Sequence, residues 1–554
     1  MKTEAKAGHS GPRDAFGLFR SAVPVLLAGL LLFSGCSRSE PAVETATREG
    51  TLLLGNGGDP PNLDPQLAQG VPEDHIVMSL FEGLVNVDPA DLHPEPGVAR
   101  SWDVSADGLV YTFHLRSDAK WSNGDPVTAA DFAGSFKRLL SPAFASENAD
   151  QFYDYVAGAE DYFRGRQTDF SKVGVRVLDP LTLRITLRHP TPFFPQLLSE
   201  RYTFPVPAAV ISRFGDILRR DTPWTRPGNL VGNGPFVLKE WLPNQYVEVV
   251  RSPTYWNRGR VKLNAVRFFP IEEAAAEEAS FRSGQLHKTE TVPTGRIGVY
   301  QNEKSPLLRI VPISAIYYYS INTLRPPFDD VRVRRALAMA LDRERIVKDV
   351  TRAGQAPAYT LIPDGLDGYR GTARIPRDAD GARQLLAEAG FPGGRGFPAV
   401  TLLYNTSEGH RAIAEAIQQI WRKSLKVDID LYNQEWKVYL DNMHMKNYQI
   451  CRAALVIDPY DPYQYLRSFE TNSGYNDTGW SNPEYDRLLE QAIMLPDKGR
   501  RIALYRRAEE ILMREMPIIP IYFYTHAYLV RPEVRGWTDN MLMNLPLGQA
   551  WLQE

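Results

Sequence analysis

Cysteine is almost missing from this chain, because its 554 residues include two, Cys36 and Cys451. If Cys36 carries a lipid, as the residues before it suggest below, Cys451 has no partner for an intramolecular disulfide. Metal sites built on paired cysteines are excluded for the same reason. Cys451 lies within an apolar stretch, which is typical of an inert buried thiol and not of a nucleophile.

A strong charge of either sign is also missing. The 63 basic and 66 acidic residues give a formal net charge of −3, and the basic residues form no stripe, so nucleic acid is not an expected partner. A content of 43% hydrophobic and 23% charged residues is typical of a globular protein and argues against disorder. The chain is longer than a domain with a single hydrophobic core usually is, so two or three lobes are expected. The 42 prolines and 41 glycines favour loop-rich lobes over a helical bundle.

Signatures of catalysis are absent as well. The sequence contains no His-x-x-x-His pair, nucleophile elbow or kinase motif set. The glycine-rich segment 55–59 is not followed by the lysine that a phosphate-binding loop requires. We therefore expect a protein that is not an enzyme and has no metal site.

The first 36 residues have the organisation of a bacterial export signal. Basic residues precede the apolar run 22–33, which is too short for a membrane span, and Ser34, Gly35 and Cys36 follow it. A cysteine directly after small residues resembles a bacterial lipoprotein cleavage site, where Cys36 would become the lipidated N-terminus. An ordinary secretory signal with a coincidental cysteine is the alternative. Residues 36–50 are polar without periodicity and are expected to form a tether.

Strands alternate with helices along the rest of the chain, which predicts α/β lobes. Alternating apolar residues predict strands at 111–115 and 427–431. Amphipathic spacing predicts helices from Asp330 and from about Glu408. Thr128 and Asp131 have the spacing of a capping box at the start of another helix.

The apolar stretch 448–458 contains an unexplained pair of opposite charges, Arg452 and Asp458. In a strand, two residues separated by six positions point to the same side. A lone charge on an apolar face is costly to bury, so each of the two needs a partner. Either Arg452 pairs with an unseen carboxylate and Asp458 caps the turn at Pro459, or a zwitterionic ligand supplies both partners.

Residues 99–132 contain a specific order of short motifs. Ala-Arg-Ser-Trp is followed by Asp-Gly, then by Tyr-Thr-Phe-His-Leu-Arg, and finally by Lys-Trp-Ser-Asn-Gly-Asp-Pro-Val-Thr-Ala-Ala-Asp-Phe. This order resembles the solute-binding proteins of bacterial peptide ABC transporters, extracellular family 5, and more narrowly their oligopeptide-binding (OppA-type) branch. Residues 231–238 and 329–337 are similar to the same family.

The resemblance implies an α/β fold of the periplasmic-binding-protein type II, with two hinged lobes plus an extra domain. It also implies hinge closure around a ligand, a closed form that a membrane permease recognises, and no cofactor. We expect a monomer in the periplasm or cell envelope, anchored through Cys36. The expected divisions are a signal peptide at 1–35, a tether at 36–50, domain I at 51–86, 208–312 and 522–554, domain II at 87–207, and domain III, the ligand-binding lobe, at 313–521.

Five positions line up with the peptide site of the family at offsets of 5, 26, 16 and 6: Asn405, His410, Trp436, Arg452 and Asp458. The resemblance implies that Asp458 takes the peptide ammonium, while Arg452 and His410 face its terminal carboxylate. Trp436 would line a side-chain pocket. Taken singly, His410 is typical of a helix surface, Trp436 of a core and Asn405 of a helix cap.

Two departures from the family limit what can be carried over. Leu455 and Val456 replace a tryptophan and a cysteine, which predicts an aliphatic pocket wall. Thr351 replaces a lysine used for longer peptides, and whether the adjacent Arg352 substitutes for it stays open.

The expected partners are short peptides together with the permease and ATPase subunits of an ABC importer. Two alternatives remain: another cargo, such as dipeptides, muropeptides or signalling peptides, or a surface interaction or chaperone-like role without transport.

Overall fold

The structure is a computed structural model of the chain, and it describes residues 40–434, 436–457 and 461–554. The predicted signal peptide, Cys36 and Asp458 lie outside the described residues. So do the side chains of Asp367, Trp436 and Lys437. Within the described ranges, no helix combines the length and the apolar composition that a membrane crossing requires.

The strands occur along the whole described chain. In order they are β1 Thr51–Gly55, β2 Val85–Val87, β3 Pro94–Pro96, β4 Ala99–Val104, β5 Val110–Leu115, β6 Val175–Asp179, β7 Thr182–Thr186, β8 Phe236–Leu242, β9 Tyr246–Arg251, β10 Ala265–Phe269, β11 Leu308–Ile321, β12 Ala356–Pro357, β13 Thr401–Asn405, β14 Asp430–Gln434, β15 Ile450–Val456, β16 Ile518–Leu529, β17 Val534–Arg535 and β18 Trp551–Leu552.

Helices separate many of these strands, as the alternation in the sequence predicts. They are α1 Ala42–Glu49, α2 Val71–Leu80, α3 Ala129–Leu139, α4 Asp150–Tyr153, α5 Ala159–Phe163, α6 Phe194–Leu197, α7 Ala208–Ile211, α8 Ala274–Arg282, α9 Thr294–Asn302, α10 Val331–Met339, α11 Arg343–Arg345, α12 Ala379–Glu388, α13 Glu408–Leu425, α14 Trp436–His444, α15 Tyr463–Leu466, α16 Pro483–Ile493 and α17 Lys498–Glu515.

Three larger sheets organise these elements. Two have four strands, in the orders β1-β10-β9-β8 and β4-β5-β7-β6, and the third has six, β12-β16-β11-β15-β13-β14. One hydrophobic core draws on residues between 52 and 268 with a contribution from 528–550. A second core draws on residues between 316 and 522 and contains the interior of the six-stranded sheet. The mixture of helices and sheets confirms the predicted α/β class.

The long strands β11 and β16 run between the two cores. Leu308–Pro312 of β11 pairs with Thr525–Leu529 of β16, and the part from Ile316 to Ser320 pairs with Ile518–Phe523. The register shifts between these two paired regions. A bulge of this kind bends a strand locally, so β11 and β16 are not paired as one regular, straight ladder where they pass from one core to the other.

Local sequence chemistry explains several element boundaries. The side chains of Thr128 and Asp131 form the predicted capping box at the start of α3. Helix α10 begins after Asp330 as predicted, but it ends at Met339 and is shorter than its apolar pattern suggested. Strand β14 starts at Asp430, and not at 427 as predicted, because its pairing with β13 begins there, where Asp430 lies opposite Thr401. Val427 and Ile429 are buried in the second core before the strand begins.

The segment predicted as a tether differs from its expectation. Ala42–Glu49 forms helix α1, and Val43 and Ala46 are buried. The amide of Val43 donates to the carbonyl of Gly284 over 3.0 Å. His287 accepts from the amide of Leu53 at Nδ1, and its Nε2 lies 3.0 Å from Thr47 Oγ1. The polar composition of 36–50 concealed two apolar residues, Val43 and Ala46, which lie three positions apart and therefore on one side of a helix, and these suffice to dock a short helix.

Candidate functional site

One face of the six-stranded sheet carries the candidate site. In the antiparallel pairing of β11 with β15, Tyr319 lies opposite Arg452 and Tyr317 opposite Ala454. Tyr317 also lies opposite Tyr522 of β16. Directly opposed residues share a face of the sheet, so Arg452 stands beside side chains from β11 and β16.

Arg452 is buried on this face, with 8% of its surface exposed. Its Nη2 donates to the hydroxyl of Tyr524 over 2.9 Å, and its Nη1 lies 3.4 Å from Asn405 Oδ1. The guanidinium carbon is 5.0 Å from the centroid of the Tyr317 ring, a cation–π distance. Within the described chain no carboxylate is among its partners, and its Nε has none at all.

The charge state of Arg452 follows from two opposing effects. Burial works against the charge, while the nearby hydroxyls of Tyr524 and Tyr317 favour it, and the net effect raises the pKa of Arg452 above its ordinary value. The guanidinium therefore remains cationic inside the protein. A buried cation whose neighbours are neutral is an unusual arrangement, because isolated buried charges are costly.

His410 lies in the first turn of α13, with its ring 5.6 Å from that of Tyr317. Burial, and secondly the charge of Arg452, lower the pKa of His410 to about 4, so the imidazole is neutral at pH 7. The side chain of Ser407 does not cap the helix. The first turn of this 18-residue helix lies near Tyr317 and Arg452, so the positive partial charge of its amino end favours a bound anion in that region.

Tyrosines that the sequence analysis did not single out form the floor around Arg452. Tyr317 stacks on Tyr522 with ring centroids 4.8 Å apart, and Tyr522 lies 5.0 Å from Tyr524. The alternation of Tyr317 with Tyr319, and of Tyr522 with Tyr524, signals strands with an aromatic face. The sequence did not reveal that these two strands adjoin each other.

The structure describes some of the predicted site residues near Arg452 and leaves others outside the described range. Asn405, at the end of β13, lies against Arg452, and His410 lies against Tyr317 beside it. Their role in peptide binding stays a prediction. Trp436 begins α14, but its side chain lies outside the described residues, and Asp458 lies outside them altogether.

The two residues that depart from the family pattern, Leu455 and Val456, differ in burial and in the face of β15 on which they lie. Leu455 is part of the second core, whereas Val456 is 74% exposed. Successive strand residues point to opposite faces, so Val456 shares the face of Arg452 and Leu455 does not. Within β15 the two side chains therefore do not form one continuous aliphatic wall.

The region around Thr351 has its own local contacts. Thr351 Oγ1 donates to Gln355 Oε1 over 2.8 Å. Arg352 is exposed, and its Nε donates to the carbonyl of Asp349 over 2.8 Å. Its φ of 54° lies in the left-handed region. Whether Arg352 substitutes for the family lysine stays a prediction.

Two further groups bear on the predicted chemistry. Cys451 is fully buried, as predicted, and burial raises the pKa of its thiol to about 12. Among residues 40–434, 436–457 and 461–554, metal-ligand side chains converge in the turn between β2 and β3, where Asp88, Asp91 and His93 lie together at the surface. Exposed acidic groups of this kind are common in proteins, and nothing ties them to the sheet face of Arg452.

Comparison with known proteins decides the family. Residues 93–477 match the bacterial extracellular solute-binding proteins, family 5, middle region. The chain belongs to this family. The protein is 39% identical over 507 residues to the periplasmic oligopeptide-binding protein OppA of Escherichia coli (strain K12), covering 90% of this chain and 91% of that protein.

Solved structures agree with the family 5 assignment. The unliganded open form of MppA, a periplasmic murein tripeptide-binding protein, superimposes with a TM-score of 0.81 at 34% identity, covering 91% of this chain and 97% of MppA. OppA of Haemophilus influenzae in complex with the peptide RPPGFSPFR gives a TM-score of 0.72 at 32% identity, covering 91% and 99%. This family 5 protein therefore has the predicted fold of the periplasmic-binding-protein type II.

Proposed function

We propose that this family 5 protein is the extracytoplasmic substrate-binding component of a peptide ABC transporter, which binds short oligopeptides and delivers them to a membrane permease. The relatives support this class, since OppA of Escherichia coli is named for oligopeptide binding and the Haemophilus influenzae protein is seen with a nine-residue peptide. The ATPase and permease of an importer are its further proposed partners.

The observation that carries the proposal is the buried Arg452, to which the described residues supply no carboxylate partner. A terminal carboxylate would accept from the guanidinium as a charge-assisted pair, and the amino end of α13 favours the same negative group. Neutral His410 next to Arg452 could donate one further hydrogen bond to it. Asp458, six residues further along, is the proposed partner of the peptide ammonium.

Binding would be coupled to closure of two halves of the molecule about β11 and β16. These strands connect the two cores, and their pairing register is interrupted between them. The described structure is more similar to the unliganded open MppA than to the peptide complex of OppA, with TM-scores of 0.81 and 0.72. A ligand that contacts both halves would shift the population towards a closed form. The domain divisions predicted from the sequence are part of this proposal.

Murein peptides are the second candidate cargo. MppA of Escherichia coli, named for murein peptide binding, is 36% identical over 492 residues, and its open form gives the TM-score of 0.81. The charged ends of a murein peptide would use the same sheet face. We further propose that the protein acts as a monomer held at the membrane by a lipid on Cys36.

The test combines ligand identification with one variant. Native mass spectrometry of the purified protein should reveal a co-purifying peptide, and calorimetry should then measure tripeptides and tetrapeptides. Asp458→Asn should weaken binding by about 2–5 kcal/mol because it leaves the ammonium unpaired, whereas the exposed Asp430→Asn should change nothing. Equal affinities of Asp458→Asn and the wild type would refute the assigned role, and a non-peptide ligand would refute the cargo.

A further inference from the structure

A cavity of about 400 Å³ lies in the half of the molecule that does not contain Arg452. It is bounded mainly by the end of α2, the hairpin of β2 and β3, the loop at 255–261 and the C-terminal segment 540–549. Among the described residues, none from the second core lines it. The volume is within the range of small-molecule sites, so the cavity can hold a ligand of its own.

Glu82 places a buried carboxyl group in the wall of this cavity, with 3% of its surface exposed. Its Oε1 accepts from Asn86 Nδ2 over 2.9 Å and from the hydroxyl of Tyr255 over 2.6 Å. Its Oε2 accepts from Trp256 Nε1 over 2.7 Å. All three donors are neutral, and no cation of the described chain forms an ion pair with Glu82. The charge of a buried carboxylate is not compensated by neutral donors alone.

Arg116 is the cation that acts on Glu82 from nearby, but its direct contacts are elsewhere. Its guanidinium carbon lies 3.3 Å from the centroid of the Trp256 ring, and its Nε donates to the carbonyl of Gly97 over 2.8 Å. Burial raises the pKa of Glu82, and Arg116 opposes the rise less than the three hydrogen bonds do. Arg260 also lines the cavity, but it is exposed. A cation in direct contact with Glu82 would therefore favour its ionised form.

Asn86 supplies a second acceptor beside this carboxyl group. Because its Nδ2 donates to Glu82, the orientation of the amide is set and Oδ1 is its remaining polar atom. No described residue donates to this oxygen, and Asn86 also lines the cavity. An ammonium group carries three donors, so it can bind the carboxylate and the amide oxygen together.

Apolar side chains form another part of the cavity wall, among them Met78, Phe81, Leu545 and Leu547. Phe81 and Leu547 are buried. A hydrocarbon group placed against these side chains removes apolar surface of both molecules from water. The cavity thus combines a pair of oxygen acceptors with an apolar surface, which together match a molecule that has an ammonium group at one end and a hydrocarbon group at the other.

We propose that this cavity is a second binding site, which takes a small organic amine whose ammonium group contacts Glu82 and Asn86 and whose apolar part lies against Phe81 and Leu547. The site is separate from the proposed peptide site and does not depend on it. A neutral molecule of the same shape would bind more weakly, because it leaves the buried carboxylate without a cation.

The test compares phenethylamine with 2-phenylethanol, a neutral molecule of nearly the same shape, by calorimetry on the full mature chain. At pH 8 the amine stays protonated. The wild type should bind the amine at least about tenfold more tightly than the alcohol. Glu82→Gln should remove this preference.

A second variant tests the cavity without touching its polar groups. Gly548 lines the cavity, and a Cβ atom there would meet no other atom within 4 Å. Gly548→Leu should therefore fold, narrow the cavity and weaken the binding of both molecules. If Glu82→Gln does not fold, this variant decides, and an unchanged affinity of Gly548→Leu for the amine would overturn the proposal.

Two further variants separate this cavity from other carboxylates. Glu509 is also buried among neutral donors but lies outside the cavity, so Glu509→Gln is the matched control and should keep the preference for the amine. Asp458→Asn removes the ammonium partner proposed for the peptide site and should keep it as well. Loss of amine binding in Asp458→Asn, an undiminished preference in Glu82→Gln or no preference in the wild type would each overturn the proposal.

Discussion

Arg452 and Tyr524 are hydrogen-bonded over 2.9 Å although their strands are not neighbours in the sheet. Strand β11 lies between β15 and β16, so the guanidinium reaches across Tyr317 to the hydroxyl. Two strand spacings amount to roughly 10 Å. The contact holds the cation extended over the sheet before any ligand arrives, which lowers the ordering cost of binding.

The first prediction concerns the geometry of Arg452. Arg452→Lys keeps the charge but loses the planar fork, so peptide affinity should fall by about tenfold or more. Tyr524→Phe should cost less, because it releases the guanidinium without removing it. Calorimetry with a tripeptide measures both, and the exposed Arg345→Lys is the control. Unchanged affinity of Arg452→Lys would contradict the proposed carboxylate contact.

The second prediction concerns protons taken up with the ligand. His410 has a pKa of about 4 in the free protein and is neutral at pH 7. A carboxylate bound beside it would raise that pKa, so the complex would hold more protons than the free protein. Affinity should therefore increase as the pH falls from 7 to about 5.

Calorimetry in buffers of different ionisation enthalpy would detect this proton uptake directly. His410→Gln should abolish the uptake while the protein still binds peptide. The same uptake in His410→Gln would assign the proton to another group.

The third prediction links stability to pH through Glu509. Its Oε1 accepts from the amides of Leu361 and Ile362, and its Oε2 accepts from Tyr369 over 2.7 Å. Burial raises the pKa of Glu509 from 4.5 to about 7. The native state thus binds a proton that the unfolded chain has released, and this stabilisation is complete below pH 4.5 and lost as the pH rises through 7.

Denaturant unfolding at pH 5 and pH 8 would test the sign. The free energy of unfolding of wild type relative to Glu509→Gln should fall between these pH values by up to roughly 3 kcal/mol, at about 1.4 kcal/mol per pKa unit. The neighbouring, exposed Glu510→Gln should show no such trend against wild type. A relative stability that is constant with pH would show that Glu509 titrates normally.

The fourth prediction concerns Cys451. Its thiol is fully buried and has a pKa of about 12, so little reactive thiolate exists at neutral pH. Iodoacetamide should leave the native protein unmodified at this residue and should alkylate it after unfolding. Peptide mass mapping measures the difference, and rapid alkylation of Cys451 in the native protein would contradict the burial.

Local sequence patterns predicted the position of several helices and strands. The capping box of Thr128 and Asp131 forms as its spacing predicted, because a cap depends on neighbours along the chain. Helix α13 begins at Glu408, where its amphipathic pattern begins. The start of β14 was misplaced, since Val427 and Ile429 satisfy the strand pattern but are buried before the ladder begins.

Two expectations differ from the structure, each for its own reason. Residues 36–50 looked polar, yet α1 docks through Val43 and Ala46 because a surface distant in sequence, near Gly284 and His287, is there to receive it. Leu455 and Val456 were expected to form one wall, although the alternation of a strand puts them on opposite faces. This alternation follows from the strand period alone, so it applies to the two residues without knowledge of the tertiary structure.

The sequence by itself determined the family, the α/β class and the side of β15 to which Arg452 points, since these depend on ordered motifs and on strand periodicity. Only the tertiary structure decided what Arg452 meets there. Its neighbours Tyr317, Tyr524 and His410 come from β11, β16 and α13. Their approach depends on strand order and register, which are set by packing between distant segments and leave no local trace in the chain.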